Sequence, residues 1–346
     1  MKLKMLLFAT GIMLFSLCMS WSIASVEKES MRKDKAFSFI QKYRVTSPLD
    51  LIISTSGGNI SIVGWEDNNV EVSFIVASKG EVLDITFDQL KDYAEVEIIN
   101  ENSRLEINVK RTFEKRISIG FVIKTPVRSS TTLKTSGGNI DVSGITGDQT
   151  CMTSGGNVSM EGIAGKVVAK TSGGNISINN SSADFNASTS GGNISLENID
   201  GKLDVATSGG NINAEELRNG LSARTSGGNI NLAKVQGNTN VSTSGGEIKL
   251  DEMSGSVRAT TSGGSIKANL ISLTEKLELK TTGGSINATI PSGLGLDLDL
   301  KASNINPPPP GFVGTVKKEL VKGQLNGGGI LVQLSTSGGN ILLKYR

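Results

Sequence analysis

The sequence contains no histidine. That removes the commonest metal ligand and the usual general base of enzymes working near neutral pH. Aromatic residues make up only 4% of the chain, so the interior it builds is narrow and aliphatic. An excess of one charge is missing too. There are 35 Lys and Arg against 33 Asp and Glu, and setting aside Lys2 and Lys4 leaves 35 − 2 = 33 against 33. A neutral body has no electrostatic grip on nucleic acid or an anionic lipid surface. Cysteine is nearly absent. Cys18 lies in the N-terminal apolar run and Cys151 stands alone beyond it, so the mature chain has no intramolecular disulfide. No long apolar run follows the first one.

That first run reads as an export signal over residues 1–24. Lys2 and Lys4 precede apolar residues from Met5 to Cys18, and Ser22-Ile23-Ala24 supplies small residues for cleavage before Ser25. A retained anchor is the alternative, although the run is shorter than the ~20 residues needed to span a bilayer. Lipidation of Cys18 is a third reading, poorly served by the bulky Leu17 before it. The expected location is periplasm, outer membrane or cell surface. Residues 25–45 are charged and mildly amphipathic, a leader or linker expected to be a short helix or a flexible lead.

What the chain has in abundance is one hexapeptide. Thr-Ser-Gly-Gly-Asn-Ile, or a near copy, begins at Thr55, Thr135, Thr153, Thr171, Thr189, Thr207, Thr225, Thr243, Thr261, Thr281 and Thr336. From Thr135 to Thr261 every step is 18 residues; the next is 20, and the outlying steps are 80 and 55. A unit of 18 residues cannot enclose a core of its own. Each copy must be one coil of a stack that buries its apolar side against its neighbours. The predicted fold is all-β: a single-stranded parallel β-helix, or β-solenoid, with 18-residue coils.

Counting each Thr as position 1, positions 6 and 8 are apolar in every regular coil, from Ile140 and Val142 to Ile266 and Ala268. Two columns two residues apart form one face of a short strand. Positions 15 and 17 form a second, with Val167, Phe185, Leu203, Leu221 and Val257 in one column. Cys151 shares the other with small residues such as Ala169 and Ala187, so its thiol is expected to be buried. Position 11 adds an inward anchor, from Ile145, Ile163, Ile199, Leu217 and Val235 to Ile271. Gly-Gly at positions 3 and 4 is expected to turn one corner. Gly147, Gly165, Gly201, Gly237 and Gly255 turn another at position 13, where Asn219 also tolerates positive φ.

Stacked strands lie about 4.8 Å apart, so identical positions become ladders. Asn139, Asn157, Asn175, Asn193, Asn211 and Asn229 are predicted to form a structural amide ladder, each side chain donating to the next. Thr at position 1 is expected to set its hydroxyl against nearby backbone. At position 14, Asp148, Lys166, Asp184 and Lys202 alternate in sign, which penalises a slip of one coil. Each exposed pair is worth only about 0.2–1 kcal/mol.

The period breaks at both ends. Residues 46–134 hold the first copy and an irregular insertion with longer strands at Val70–Val76, Glu95–Ile99, Leu105–Val109 and Ile117–Lys124, expected to widen the first coils or cap the open end. Residues 135–290 are the regular repeats. Residues 291–346 are read as degenerate C-terminal coils, because 55 residues is close to three periods, with a rigid loop at Pro307–Pro310.

No catalytic, cofactor-binding or metal-binding residues emerge. No serine or threonine sits in a nucleophile elbow. Calcium-binding glycine-rich repeats need Gly and Asp where this chain has Ile176 and Ile178. The repeated hexapeptide resembles the bacterial "putative adhesin" β-strand-repeat family, a domain of unknown function similar to the head-GIN group of envelope proteins. The resemblance covers Phe37 to Arg346. It implies a right-handed β-helix, exported and surface-associated, and it brings no catalytic residues. The function expected is a non-catalytic envelope protein, an adhesin or structural binding element whose partner is a surface glycan or an envelope or matrix protein. Two alternatives stand beside it. One is a carbohydrate-active envelope enzyme, which clustered acids near Trp65 would favour. The other is a periplasmic protein-binding scaffold, which a contiguous apolar patch over Val70–Lys124 would favour.

Overall fold

A computed structural model describes residues 37–112 and 117–346. The export signal expected at 1–24, Cys18 and the first part of the 25–45 lead lie outside them. The described residues form 29 strands and one helix of four residues, Phe87–Leu90. The architecture is all-β and solenoid-like.

Most strands stand in parallel on their counterparts one repeat away. Ile140 pairs with Val158, Val158 with Ile176, Ile176 with Ile194, and the column continues through Ile212 and Ile230 to Ile248. The second strand of the repeat behaves alike, from Cys151↔Ala169 to Val241↔Ala259. The position 6 and 8 side chains are all buried, as are Val167, Phe185, Leu203, Leu221 and Val257 at position 15. This register is the one that keeps the aliphatic side inward, since a one-residue slip would turn every column to solvent. Burying one Ile or Leu contributes about 1.5–3 kcal/mol, and each coil buries several.

One anchor departs from expectation. The longer step between Thr261 and Thr281 shifts the pairing so that Met253 meets Leu270. Leu270 takes the inward place, and Ile271 is 50% exposed.

The corners also differ in mechanism from a simple glycine turn. From Gly137 onward, neither glycine of the motif has positive φ. The second is required by proximity: a Cβ on Gly192 would lie 2.0 Å from the Gly174 carbonyl oxygen, and its equivalents from Gly138 to Gly284 meet the same oxygen at 1.9–2.2 Å. A Cβ on the first glycine, Gly191, finds nothing closer than 3.7 Å. The left-handed residues occur at position 10, where Gly144, Gly162, Asn180, Asn198, Glu216, Lys234 and Glu252 have φ between 50° and 64°. Position 13 is a second such corner: Gly147, Gly165, Gly237 and Gly255 have positive φ there, Gly201 does not, and in the coil of Asn219 the positive φ of this corner falls one residue later, on Gly220.

Both ends are built by looping chain out of the ladder. Thr55 pairs directly with Thr135 and Ile60 with Ile140, so the 80-residue interval does not interrupt the stack. The looped-out chain packs on the far side of the first copy. Arg104–Arg111 and Ile117–Pro126 run parallel to it, and Asn69–Ser78, Phe39–Arg44 and Ala94–Glu101 add antiparallel strands. Phe39–Arg44 is thus a strand, not part of a helical or flexible lead. Phe39, Phe74, Phe87 and Phe121 gather here with ring centroids 4.6–6.4 Å apart.

The C-terminal interval is not filled by degenerate coils between two copies. Thr281 pairs directly with Thr336 and Ile286 with Ile341. Leu296–Lys301 and Asn304–Ile305 lie parallel on the outer side of that last copy. A hairpin of Phe312–Lys317 and Leu320–Leu325 continues antiparallel beyond them. Pro307–Pro310 lies in the connection before this hairpin, where a missing N–H costs no ladder bond.

Candidate binding surface

The motif corner is held by the threonine hydroxyl. Thr153 Oγ1 donates to the Gly138 carbonyl of the preceding copy at 2.8 Å and accepts from its own Gly156 N–H at 3.3 Å. Thr171, Thr189, Thr207, Thr225, Thr243 and Thr261 repeat the donation at 2.8 Å. Thr281 and Thr336, across the irregular steps, repeat it at 2.7 Å. These threonines are 2–7% exposed, so the hydroxyl satisfies backbone groups that water does not reach.

The asparagine column runs differently from the predicted side-chain chain. Asn157 N donates to Asn139 Oδ1 at 2.9 Å, and Asn175, Asn193, Asn211 and Asn229 each donate their backbone N–H to the Oδ1 of the asparagine one copy earlier at 2.7–2.8 Å. The side chains accept; they do not donate along the column. The column also reaches beyond the six residues expected, beginning at Asn59 and ending on the N–H of Glu247.

The position 14 charges also act on backbone. Asp148 and Asp184 accept from the N–H of Lys166 and Lys202 at 3.3 and 2.8 Å, and among the described residues no ion pair joins these side chains.

Outward positions give the two sheets different surfaces. The sheet of positions 5–10 carries Asp141, Glu161, Glu197, Glu215, Glu216, Glu247, Asp251 and Glu252 against Lys234, Lys249 and Lys267. The opposite sheet carries Lys166, Lys170, Lys202, Arg224 and Arg258 against Asp148, Asp184 and Asp204. An open groove on the first is lined by Ser195, Glu197, Asn213, Glu215, Asn231 and Asp251. At its rim Lys234 Nζ lies 3.0 Å from both Glu215 and Glu216. The bond from Glu216, then that from Glu215, holds this ammonium above its ordinary range. On the other sheet Lys276, hydrogen-bonded to Glu278, holds that carboxyl below its usual value, assisted by Arg258 at 3.4 Å.

Trp65 is followed by Glu66 and Asp67, and Asp67 Oδ1 accepts from the Asn69 side chain at 3.0 Å beside the Trp65 ring. Trp65 Nε1 donates to the Asn69 carbonyl at 2.8 Å, and Lys124 Nζ stands 5.5 Å from the ring centroid. The nearby Glu71 lies between Lys42 at 3.0 Å and Lys124 at 3.3 Å, and the Lys42 bond lowers its pKa. Along Val70–Lys124 the apolar side chains Val70, Val72, Phe74, Val76, Ile119, Phe121 and Ile123 point into the core. Among the described residues no group of three or more Cys, Asp and Glu side chains is placed to hold a metal ion. Cys151 is fully buried, and burial pushes its thiol far above the reactive range.

These features define an all-β, solenoid-like repeat protein with an outer surface of periodic polar side chains. The chain belongs to the Toastrack DUF4097 family, whose model matches residues 46–244 and 236–344, in agreement with the resemblance carried by the hexapeptide. No protein of curated function matches it. Among solved structures it is similar to a "putative adhesin" from Bacteroides fragilis NCTC 9343 (17% identity, 72% of this chain and 96% of that chain, TM-score 0.36). A "putative adhesin" from Parabacteroides distasonis ATCC 8503 (14%, 72% and 96%, TM-score 0.37) is similar too. So is a "putative cell adhesion protein" from Clostridium sporogenes ATCC 15579 (12%, 89% and 99%, TM-score 0.17). Superpositions this loose carry no statement about the function of this chain. No described helix is long and apolar enough to cross a membrane.

Proposed function

We propose that this protein is a non-catalytic, exported element of the cell envelope, with a right-handed β-helical body of 18-residue coils that binds a surface glycan or a matrix protein. The coil reading is supported by parallel pairing one repeat apart, the handedness by the family resemblance, and export by residues 1–24. The observation that carries the binding role is the outside of the stack. Side chains in the same chemical class recur at strand spacing over many coils, a surface suited to an extended, repetitive partner rather than to a small substrate. Glycan and matrix-protein arrays, run beside fractionation of cells expressing the full-length protein, test the reading. Saturable binding to one class of probe and recovery in the envelope fraction are expected. Cytoplasmic recovery with no array signal would reject it.

A further inference from the structure

Among the described residues, the C-terminal hairpin has one strand edge with no pairing partner. Among the described residues, Phe312–Lys317 pairs only with Leu320–Leu325, on one side. Val313 is 76% exposed and Val316 51%, although they point to opposite faces of the strand. Between Phe312 and Val316 there is no charge and no proline, the usual devices that blunt a free edge. The strand at the other end, Phe39–Arg44, does carry such charges, in Lys42 and Arg44.

We propose that two copies of this chain join end to end by antiparallel pairing of Phe312–Lys317 with itself, across a two-fold axis at Gly314. The sequence is self-complementary in that register. A two-fold axis normal to a sheet opposes only residues pointing to the same face. Centred on Gly314, it sets Phe312 against the partner's Val316 and Val313 against the partner's Thr315, an aromatic–β-branched and a β-branched pair. Lys317 then falls opposite the partner's Gly311, so no like charges meet. Centring on Thr315 would set Val313 against the partner's Lys317, and centring on Val313 would set Val316 against the partner's Pro310, which has no N–H to offer. The prolines at 307–310 therefore bound the paired segment. Gly314 suits the axis: the Phe312 ring already lies over the Gly314–Gly323 pair, where an added Cβ would meet its Cζ at 2.9 Å, and a bare backbone admits a close neighbour. The closed symmetry ends assembly at two copies.

Sedimentation of the full-length protein is expected to show a monomer–dimer equilibrium that shifts to dimer as concentration rises, and Val313→Lys is expected to abolish it. Val313 is too exposed for this change to disturb folding, which circular dichroism checks. In a Cys18→Ser background, mixing Val313→Cys with Thr315→Cys chains should give cross-linked dimers faster than either variant alone; buried Cys151 stays silent. A wild-type chain that remains monomeric, a dimer that survives Val313→Lys, or equal cross-linking rates in all three mixtures would each overturn the proposal.

Discussion

At Gly192 a single methyl group collides with the Gly174 carbonyl of the preceding copy, whereas at Gly191 it makes only ordinary contacts, none closer than 3.7 Å. Gly192→Ala is expected to destabilise by at least the 1–3 kcal/mol typical of overpacking, since the clash is with backbone and no rotamer relieves it. Gly191→Ala should be neutral or stabilising by up to about 1 kcal/mol, because it stiffens only the unfolded chain. Urea unfolding of both variants separates the two glycines; equal losses would show that a turn, not close approach, dictates the pair. Thr239 supplies a second residue-scale test. Its hydroxyl is buried without a hydrogen-bond partner, in the column between Leu221 and Val257. Thr239→Val keeps the shape and removes the stranded polar group, and should stabilise by about 1–3 kcal/mol. A lower denaturation midpoint would mean that the hydroxyl finds a partner in solution.

Strands and corners show why some of this was legible beforehand and some was not. The aliphatic columns at positions 6, 8, 15 and 17 can be read from spacing because stacking gives every coil the same environment. The position 10 corner hides in the same alignment. Gly144, Gly162, Asn180 and Asn198 are a left-handed signature, but Glu216, Lys234 and Glu252 interrupt it with residues that adopt such φ at a cost. Glu252→Asn should therefore stabilise by a few tenths of a kcal/mol, visible as a small rise in Tm; a fall would assign Glu252 a favourable contact in solution. Spacing names which asparagines are neighbours but not which atom donates, so the backbone-donating direction was out of reach. Ile271 misleads for a similar reason, since a two-residue insertion changes which neighbour faces inward. Near Trp65 the sequence shows only that strands are present; their antiparallel pairing rests on contacts between residues far apart in the chain.

For the whole molecule, stability is a sum of coils and the contacts between them. Removing Thr189–Ala206, one full repeat, should leave a protein that unfolds cooperatively, because Thr171 and Thr207 then become neighbours with matching columns. Removing nine residues from the same place should abolish folding, since it sets one strand type over the other. Circular dichroism melts of both deletions decide the matter, and equal damage would reject the stacking account.

The two terminal assemblies each lie outside a complete copy of the hexapeptide, at Thr55 and Thr336, and among the described residues their strands pair with that copy rather than with the regular coils. Any in-frame gain or loss of one repeat in between lengthens or shortens the particle by a single strand spacing and leaves both terminal structures untouched. The buried columns match from one unit to the next, so such a change keeps every remaining strand in register. Reach is thus set by the number of units and can change in steps of one strand spacing without a new fold.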